Sequence, residues 1–284
     1  MHILFLILAI SGIVAQNTTR KSYGKITSSG MFLFSAVSCL AACAFFLVAS
    51  GFKLSFTSAL IPYVILFALG YGSAVLFSLL AIKCGPLAIT ALISSFSLIV
   101  PTVYGIAVFG ETVKTWFYVG CALLVACLVM INLKRGEGGA AITLKWVIFV
   151  VLSFVGNGLC STVQAVQQKD FPDQYKSEFM IASLLMVSVV FIAFAIFRER
   201  DNVGKTLKKG GILMVICGLA NGMSNQCVMK LVGLMDTSLM YPLISAGSII
   251  LTSVISRVAY GERLSRSQQI GLALGVASVV FMNL

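Results

Sequence analysis

Acidic side chains are scarce in this chain: of 284 residues, nine are Asp or Glu, one is His and five are Pro. The acids Glu111, Glu137, Asp170, Asp173, Glu178, Glu199, Asp201, Asp236 and Glu262 all fall between or at the ends of apolar runs. No carboxylate pair sits where it could perform acid–base chemistry inside a hydrophobic segment. With His2 as the lone imidazole, histidine-based acid–base chemistry has few possible players. Cys39, Cys43, Cys121, Cys127, Cys160, Cys217 and Cys227 lie in apolar runs without a CxxC pair, so they read as small apolar residues. No phosphate-cradling glycine loop is present, and no polar stretch is long enough for a soluble domain. What remains is hydrophobic: 59% of residues, with a mean hydropathy of +1.03, against roughly 45–50% apolar content in soluble domains.

The apolar runs predict ten transmembrane helices near 3–22, 30–50, 59–82, 87–109, 115–133, 144–167, 178–197, 211–232, 237–259 and 268–284. Each approaches the ~20 residues that cross a ~30 Å hydrocarbon core. Continuous runs argue against barrel strands, which alternate every second residue. The net charge of +11 is spread singly over helix ends. It implies topology signals and a lipid bilayer as partner, and no nucleic acid. The first run lacks a basic leader and a small-residue cleavage pattern, so it reads as a span.

The stretch VFGETVKTWFYVG, residues 108–120, is echoed by AYGERLSRSQQIG, residues 259–271. At an offset of 151, Gly110, Glu111, Gly120, Asn132 and Leu133 fall on Gly261, Glu262, Gly271, Asn283 and Leu284. Two five-helix repeats, 1–136 and 137–284, follow. Five is odd, so the second repeat enters the membrane inverted, a plan that places a substrate site at a central cavity. Glu111 and Glu262 stand just before a helix, where a carboxylate braces the positive N-terminal end of the helix that follows. They read as structural or gating residues, with Gly120, Gly271 and Gly275 giving close approach for helices 5 and 10.

Polar residues inside spans are costly and mark a cavity when they share a face. Helix 4 carries Thr90, Ser94, Ser97, Pro101 and Tyr104 on one face, and helix 9 carries Tyr241, Ser245, Ser248 and Thr252, the first four positions of helix 4 shifted by 151. Helix 6 has Asn157, Ser161, Gln164 and Gln168; helix 8 has Asn221, Ser224 and Asn225, with Gln226 turned partly away and Gly218 and Gly222 as a packing seam. Gln16 and Arg20 of helix 1 and Tyr71 of helix 3 complete the expected lining, whose binding set is Gln16, Arg20, Tyr71, Ser94, Ser97, Asn157, Ser161, Gln164, Asn221, Asn225, Tyr241, Ser245 and Ser248. Helices 2 and 7, poor in bulky polar residues, are expected to face lipid.

Two five-helix halves, each ending in a helix, a Gly-Glu turn, a glycine nine residues on and a final apolar helix, resemble the ten-helix EamA-type members of the drug/metabolite transporter superfamily. The resemblance spans essentially the whole chain. It implies a multi-pass protein of the cell membrane, of the bacterial plasma-membrane type, that works as a monomer or homodimer without a cofactor and is not an enzyme. Its substrate would be a small polar or amphipathic metabolite, amino acids or relatives among them, moved by alternating access. The lack of an embedded titrating group favours facilitated diffusion or exchange over proton-coupled efflux. The alternatives of another class are a membrane-embedded enzyme and a scaffold.

Charge predicts orientation. Segments after odd-numbered helices hold fifteen Lys and Arg, the opposite side only Lys53, Lys114, Lys169, Lys176 and Lys230, and RERDNVGKTLKKG between helices 7 and 8 reads as a loop with five. Since Lys and Arg accumulate in cytoplasmic loops, both termini should lie outside, whereas members of the resembled family are more often drawn with both inside. A cytoplasm-dependent reporter fused after Leu284 should be silent and one inserted at Asn202 active; the reverse pattern would refute the charge argument.

Overall fold

The computed structural model describes residues 2–26, 30–84, 90, 93, 96–132, 143–199, 203–260 and 266–282. The described residues form helices and turns: α1 (His2–Ile26), α2 (Met31–Ala49), a 3-10 turn at Ser58–Leu60, α3 (Ile61–Cys84), α4 (Ile99–Ala107), α5 (Thr115–Asn132), α6 (Leu144–Asp170), α7 (Lys176–Glu199), α8 (Val203–Val232), α9 (Thr237–Tyr260) and α10 (Arg266–Met282). In hydrocarbon no water answers the backbone, so a continuous helix is the way a single segment satisfies its own N–H and C=O groups. Six of these helices are long and apolar enough, by length and composition, to cross a membrane; Thr115–Cys127, Thr237–Thr252 and Gln269–Phe281 are shorter apolar stretches. The protein is an all-α polytopic membrane protein.

Several element boundaries differ from the sequence reading. The run expected to be a loop between helices 7 and 8 is mostly helical, because α7 continues to Glu199 and α8 begins at Val203 rather than near 211. Lys and Arg are good helix formers, and hydropathy marks the edge of the hydrocarbon, not the end of a helix. The uninterrupted fourth span is also modified: Ser97 and Leu98 form a turn, the Val100 N–H donates to the Ser97 carbonyl at 3.1 Å, and α4 starts at Ile99. Pro101 then falls in the first turn, where its missing N–H costs nothing.

The helices group into two compact units, one of Met1–Ala68 with Val166–Leu234 and one of Leu69–Ala165 with Met235–Leu284. In the first, α1 packs along α8, and α2 packs on both α7 and α8. Small residues bring the backbones together, as membrane helices require when lipid is as apolar as their side chains. A Cβ on Gly218 would strike the Ser38 carbonyl, one on Gly222 would meet the Phe45 ring at 2.7 Å, and one on Gly12 would meet the Ser224 Cβ at 2.8 Å. The Ser38 hydroxyl donates across the same seam to the Met214 carbonyl at 3.0 Å. Thus α2 is not simply lipid-facing: its face of Ala36, Ser38, Cys39, Ala42 and Cys43 is buried. Its lack of bulky polar groups reflects close packing. The other expected lipid-facing helix, α7, keeps an apolar flank outward, with Val189 65% and Phe197 84% exposed.

Within the second unit α5 packs along α10, and α9 packs on α4 and α10. Gly120 and Gly271 are buried, and a Cβ on Gly275 would stand 2.9 Å from the Cys127 sulfur. Between α3 and α6 the backbones nearly touch: a Cβ on Gly70 would lie 2.9 Å from the Gly156 carbonyl oxygen, and the Ser153 hydroxyl donates to the Ala74 carbonyl at 3.0 Å.

Glu111 braces a helix end, but not the one that follows it in sequence. Its carboxylate accepts from the Thr237 N–H at 3.0 Å, the Thr237 hydroxyl at 2.9 Å and the Ser238 N–H at 2.7 Å, closing the N-terminus of α9. A helix leaves its first N–H groups without internal partners, and a carboxylate there also meets the positive end of the dipole. Gly105 is buried against this contact, and a Cβ there would collide with both the Thr237 hydroxyl and the Glu111 carboxylate. Burial pushes the Glu111 carboxyl up, yet hydrogen bonds from Ser238 and Thr237 outweigh it and hold the group below the usual range. The repeat partner Glu262 lies outside the described residues.

A carboxyl depressed in the folded state contributes stability above its unfolded pKa, about 4.3 for Glu, and loses it as pH falls through the folded value. Glu111→Gln should therefore lower stability at pH 7 by about 1 kcal/mol, in the range of lost caps, and should flatten the acid limb of the thermal-stability profile. An unchanged midpoint and acid limb would show that the cap contributes nothing. Gly218→Leu should cost more, about 2 kcal/mol, because overpacking forces α2 and α8 apart; thermal unfolding in detergent checks it.

Candidate functional site

The described candidate residues read from the sequence fall in two groups, one in each unit. In the first, α1 and α8 lie close enough for their buried amides to pair. Asn221 Nδ2 donates to Gln16 Oε1 at 2.9 Å, and Gln16 Nε2 donates to Ser224 Oγ at 2.9 Å. Ser224 Oγ donates in turn to the Asn221 carbonyl at 3.1 Å, and Asn225 Nδ2 reaches the Asn221 carbonyl at 2.9 Å and Oδ1 at 3.1 Å. Gln16 and Asn221 are 8% and 7% exposed, so each depends on the other for the partner that water would otherwise supply. Close approach at Gly12 permits it, since any larger residue would hold Gln16 away from Ser224. One atom of this helix has no such partner: Gln226 Oε1 is buried and unpaired among the described residues. Helical periodicity turns Gln226 partly away from the stripe, while the burial of this atom comes from neighbours that the pattern does not contain. Arg20, one turn beyond Gln16, is exposed.

In the second unit, Asn157 Nδ2 donates to Ser97 Oγ, joining α6 to the turn before α4. Ser97 is fully buried. The Tyr241 hydroxyl donates to the Ser161 carbonyl at 2.8 Å, so α9 is tied to the same helix one turn further on. Thr90 accepts from Trp146 Nε1 at 2.9 Å. Ser245 and Ser248 are buried, and Ser248 Oγ donates to the Ser245 carbonyl at 2.9 Å. One turn on, Thr252 Oγ1 is buried without a partner among the described residues. Gln164 is buried and Tyr71 half-buried. Ser94 lies outside the described residues.

Both groups consist of amides and hydroxyls. Such groups hydrogen-bond a solute and orient it, but an amide neither gives up nor takes a proton near neutrality. Two further acids at helix ends are engaged there: Glu199 accepts from the Phe32 and Leu33 N–H groups at 3.2 and 3.0 Å, and Glu178 accepts from the Ser55 N–H at 2.9 Å. Gln168, counted on the helix 6 stripe, instead donates to Gln167 Oε1 at 2.7 Å and to the Gln174 carbonyl at 3.3 Å, holding the turn that follows α6.

No curated protein matches the chain. A solved structure described only as "Crystal structure of protein" superposes with a TM-score of 0.80 over 98% of this chain and 94% of its own, at 17% identity; at that identity it shows the fold alone. The model of the EamA-like transporter family matches residues 142–284, just over half of the chain. Helices long enough to span a bilayer, polar faces turned into the protein and this match together make the chain a member of the EamA-like transporter family.

Proposed function

We propose that the protein is a secondary transporter that moves a small polar or amphipathic metabolite, amino-acid-like in size and polarity, across the cell membrane by alternating access. The proposal includes facilitated diffusion or exchange in place of proton antiport, and the two inverted five-helix repeats read from the sequence. The observation that carries it is the buried amide network of Gln16, Asn221, Ser224 and Asn225, with Gln226 Oε1 beside it in sequence and unpaired. A polar atom left without a partner costs on the order of 1–3 kcal/mol, and a solute donor would relieve that cost. Uncoupled movement is supported by the chemistry of the polar groups and by Glu111, whose depressed carboxyl is already committed to three donors.

Counterflow in proteoliposomes is the test. Liposomes loaded with an unlabelled metabolite should accumulate the same labelled metabolite transiently, at a rate that an imposed pH gradient changes less than twofold. Asn221→Leu and Gln16→Leu should each reduce the initial rate at least tenfold, with elution from size exclusion unchanged. A carrier that works only with a proton gradient would favour proton-coupled efflux, and full activity in both variants would remove the amides from the solute path.

A further inference from the structure

The turn from α6 to α7 is shaped by more than its length. Of the three non-glycine residues with positive φ among the described residues, two lie here, Asp173 at 61° and Tyr175 at 54°. Asp adopts this left-handed region readily, Tyr does not. Several contacts hold the turn in that shape. The Phe171 N–H donates to the Gln167 carbonyl at 2.9 Å, the side-chain amides of Gln167 and Gln168 both reach the Gln174 carbonyl, and the Phe171 ring meets Tyr63 and Tyr175 edge-on with centroids 6.0 and 5.6 Å apart. The Tyr63 hydroxyl donates to Asp170.

The result is an unequal ion pair. Asp173 is bonded to Lys176 Nζ; the lysine side chain is 8% exposed and the aspartate 86%. A buried ammonium needs an anion, because desolvation is costly for an unpaired charge. An exposed carboxylate has no such need: water solvates it nearly as well, and such contacts contribute little. The demand is fixed in the protein, and the supply comes from the surface. Lys230 reinforces the demand. Its Nζ lies 5.2 Å from the centroid of the Phe5 ring, and Lys176 foremost, with Lys230 adding to it, holds the Asp173 carboxyl below the usual range. These are two of the five cations that the sequence places on the sparsely charged side.

We infer that Lys176 forms an anion site for a small carboxylate at this end of the first unit, to which Lys230 adds its charge, and that Asp173 is its internal occupant, exchanged for a carboxylate from solution. The strained turn is the part that gives way: when Asp173 leaves, residues 171–175 relax while Lys176 keeps a partner. The site does not depend on the transport reading, since occupancy is measured at equilibrium.

Hydrogen exchange of the full chain in nanodiscs tests it, with sodium acetate as probe and sodium phosphate and sodium chloride as comparisons at equal ionic strength. Acetate should accelerate exchange across 171–175 saturably in the wild type, with chloride inert and phosphate weaker. Asp173→Asn should already exchange fast across 171–175 without acetate and gain little from it, and Lys230→Met should saturate severalfold higher. Absence of an acetate response above chloride in the wild type would overturn the site, and so would an Asp173→Asn protein that folds and saturates where the wild type does. A stronger response to phosphate would overturn the carboxylate assignment. The wild-type and Lys230→Met arms decide the question even if Asp173→Asn does not fold. A chain inactive in counterflow but saturable by acetate would keep the site and lose the carrier.

Discussion

Inside hydrocarbon, polar groups have only one another to bond, and that constraint organises this protein. It explains why the buried amides of α1 and α8 are cross-linked through Gln16, Asn221 and Ser224, and why Asn157 finds Ser97. It also explains how the acids are used. Glu111 closes the start of α9, Glu199 the start of α2, and Glu178 takes the Ser55 N–H. In each case a carboxylate from one element satisfies backbone donors of another. Gly30, which precedes α2, has no side chain to cap it and sits at φ 82°, so the capping role passes to Glu199. Charges that look like isolated interfacial residues in the sequence are ties between distant segments.

Such bonds need close backbones, and small residues supply them. Gly12, Gly218 and Gly222 set α8 against α1 and α2, while Gly70 and Gly156 set α3 against α6. A larger side chain at any of these positions would separate the helices and leave the neighbouring amide or hydroxyl without its partner. Packing and polar satisfaction are therefore coupled: the glycine seam at Gly12 and the Gln16–Ser224 bond are one feature seen from two sides.

A network of neutral donors and acceptors has a property that suits the proposed carrier. Exchanging one amide partner for a solute group replaces a hydrogen bond of about 0.5–1.5 kcal/mol with another of similar strength. Binding and release can then both occur without a deep well. A carboxylate in the same place would bind a cationic group strongly or titrate, and the described acids are held at the element ends instead.

The sequence by itself determined the membrane class and the helical faces, because hydropathy and the 3.6-residue period are local properties that neighbouring residues carry. The seam at Gly218 and Gly222 was legible for that reason. Partners were not. The residue that Glu111 caps is 126 positions away, and nothing near Glu111 in the chain distinguishes α9 from the adjacent α5. The same holds for α2, whose apolar composition fits lipid or a packed neighbour equally well until α7 and α8 are placed against it. Gln226 differs from Asn225 by one position, yet burial left its carbonyl oxygen unpaired. Tertiary structure decided these points because a side chain's environment is set by segments that its own sequence neighbourhood does not encode.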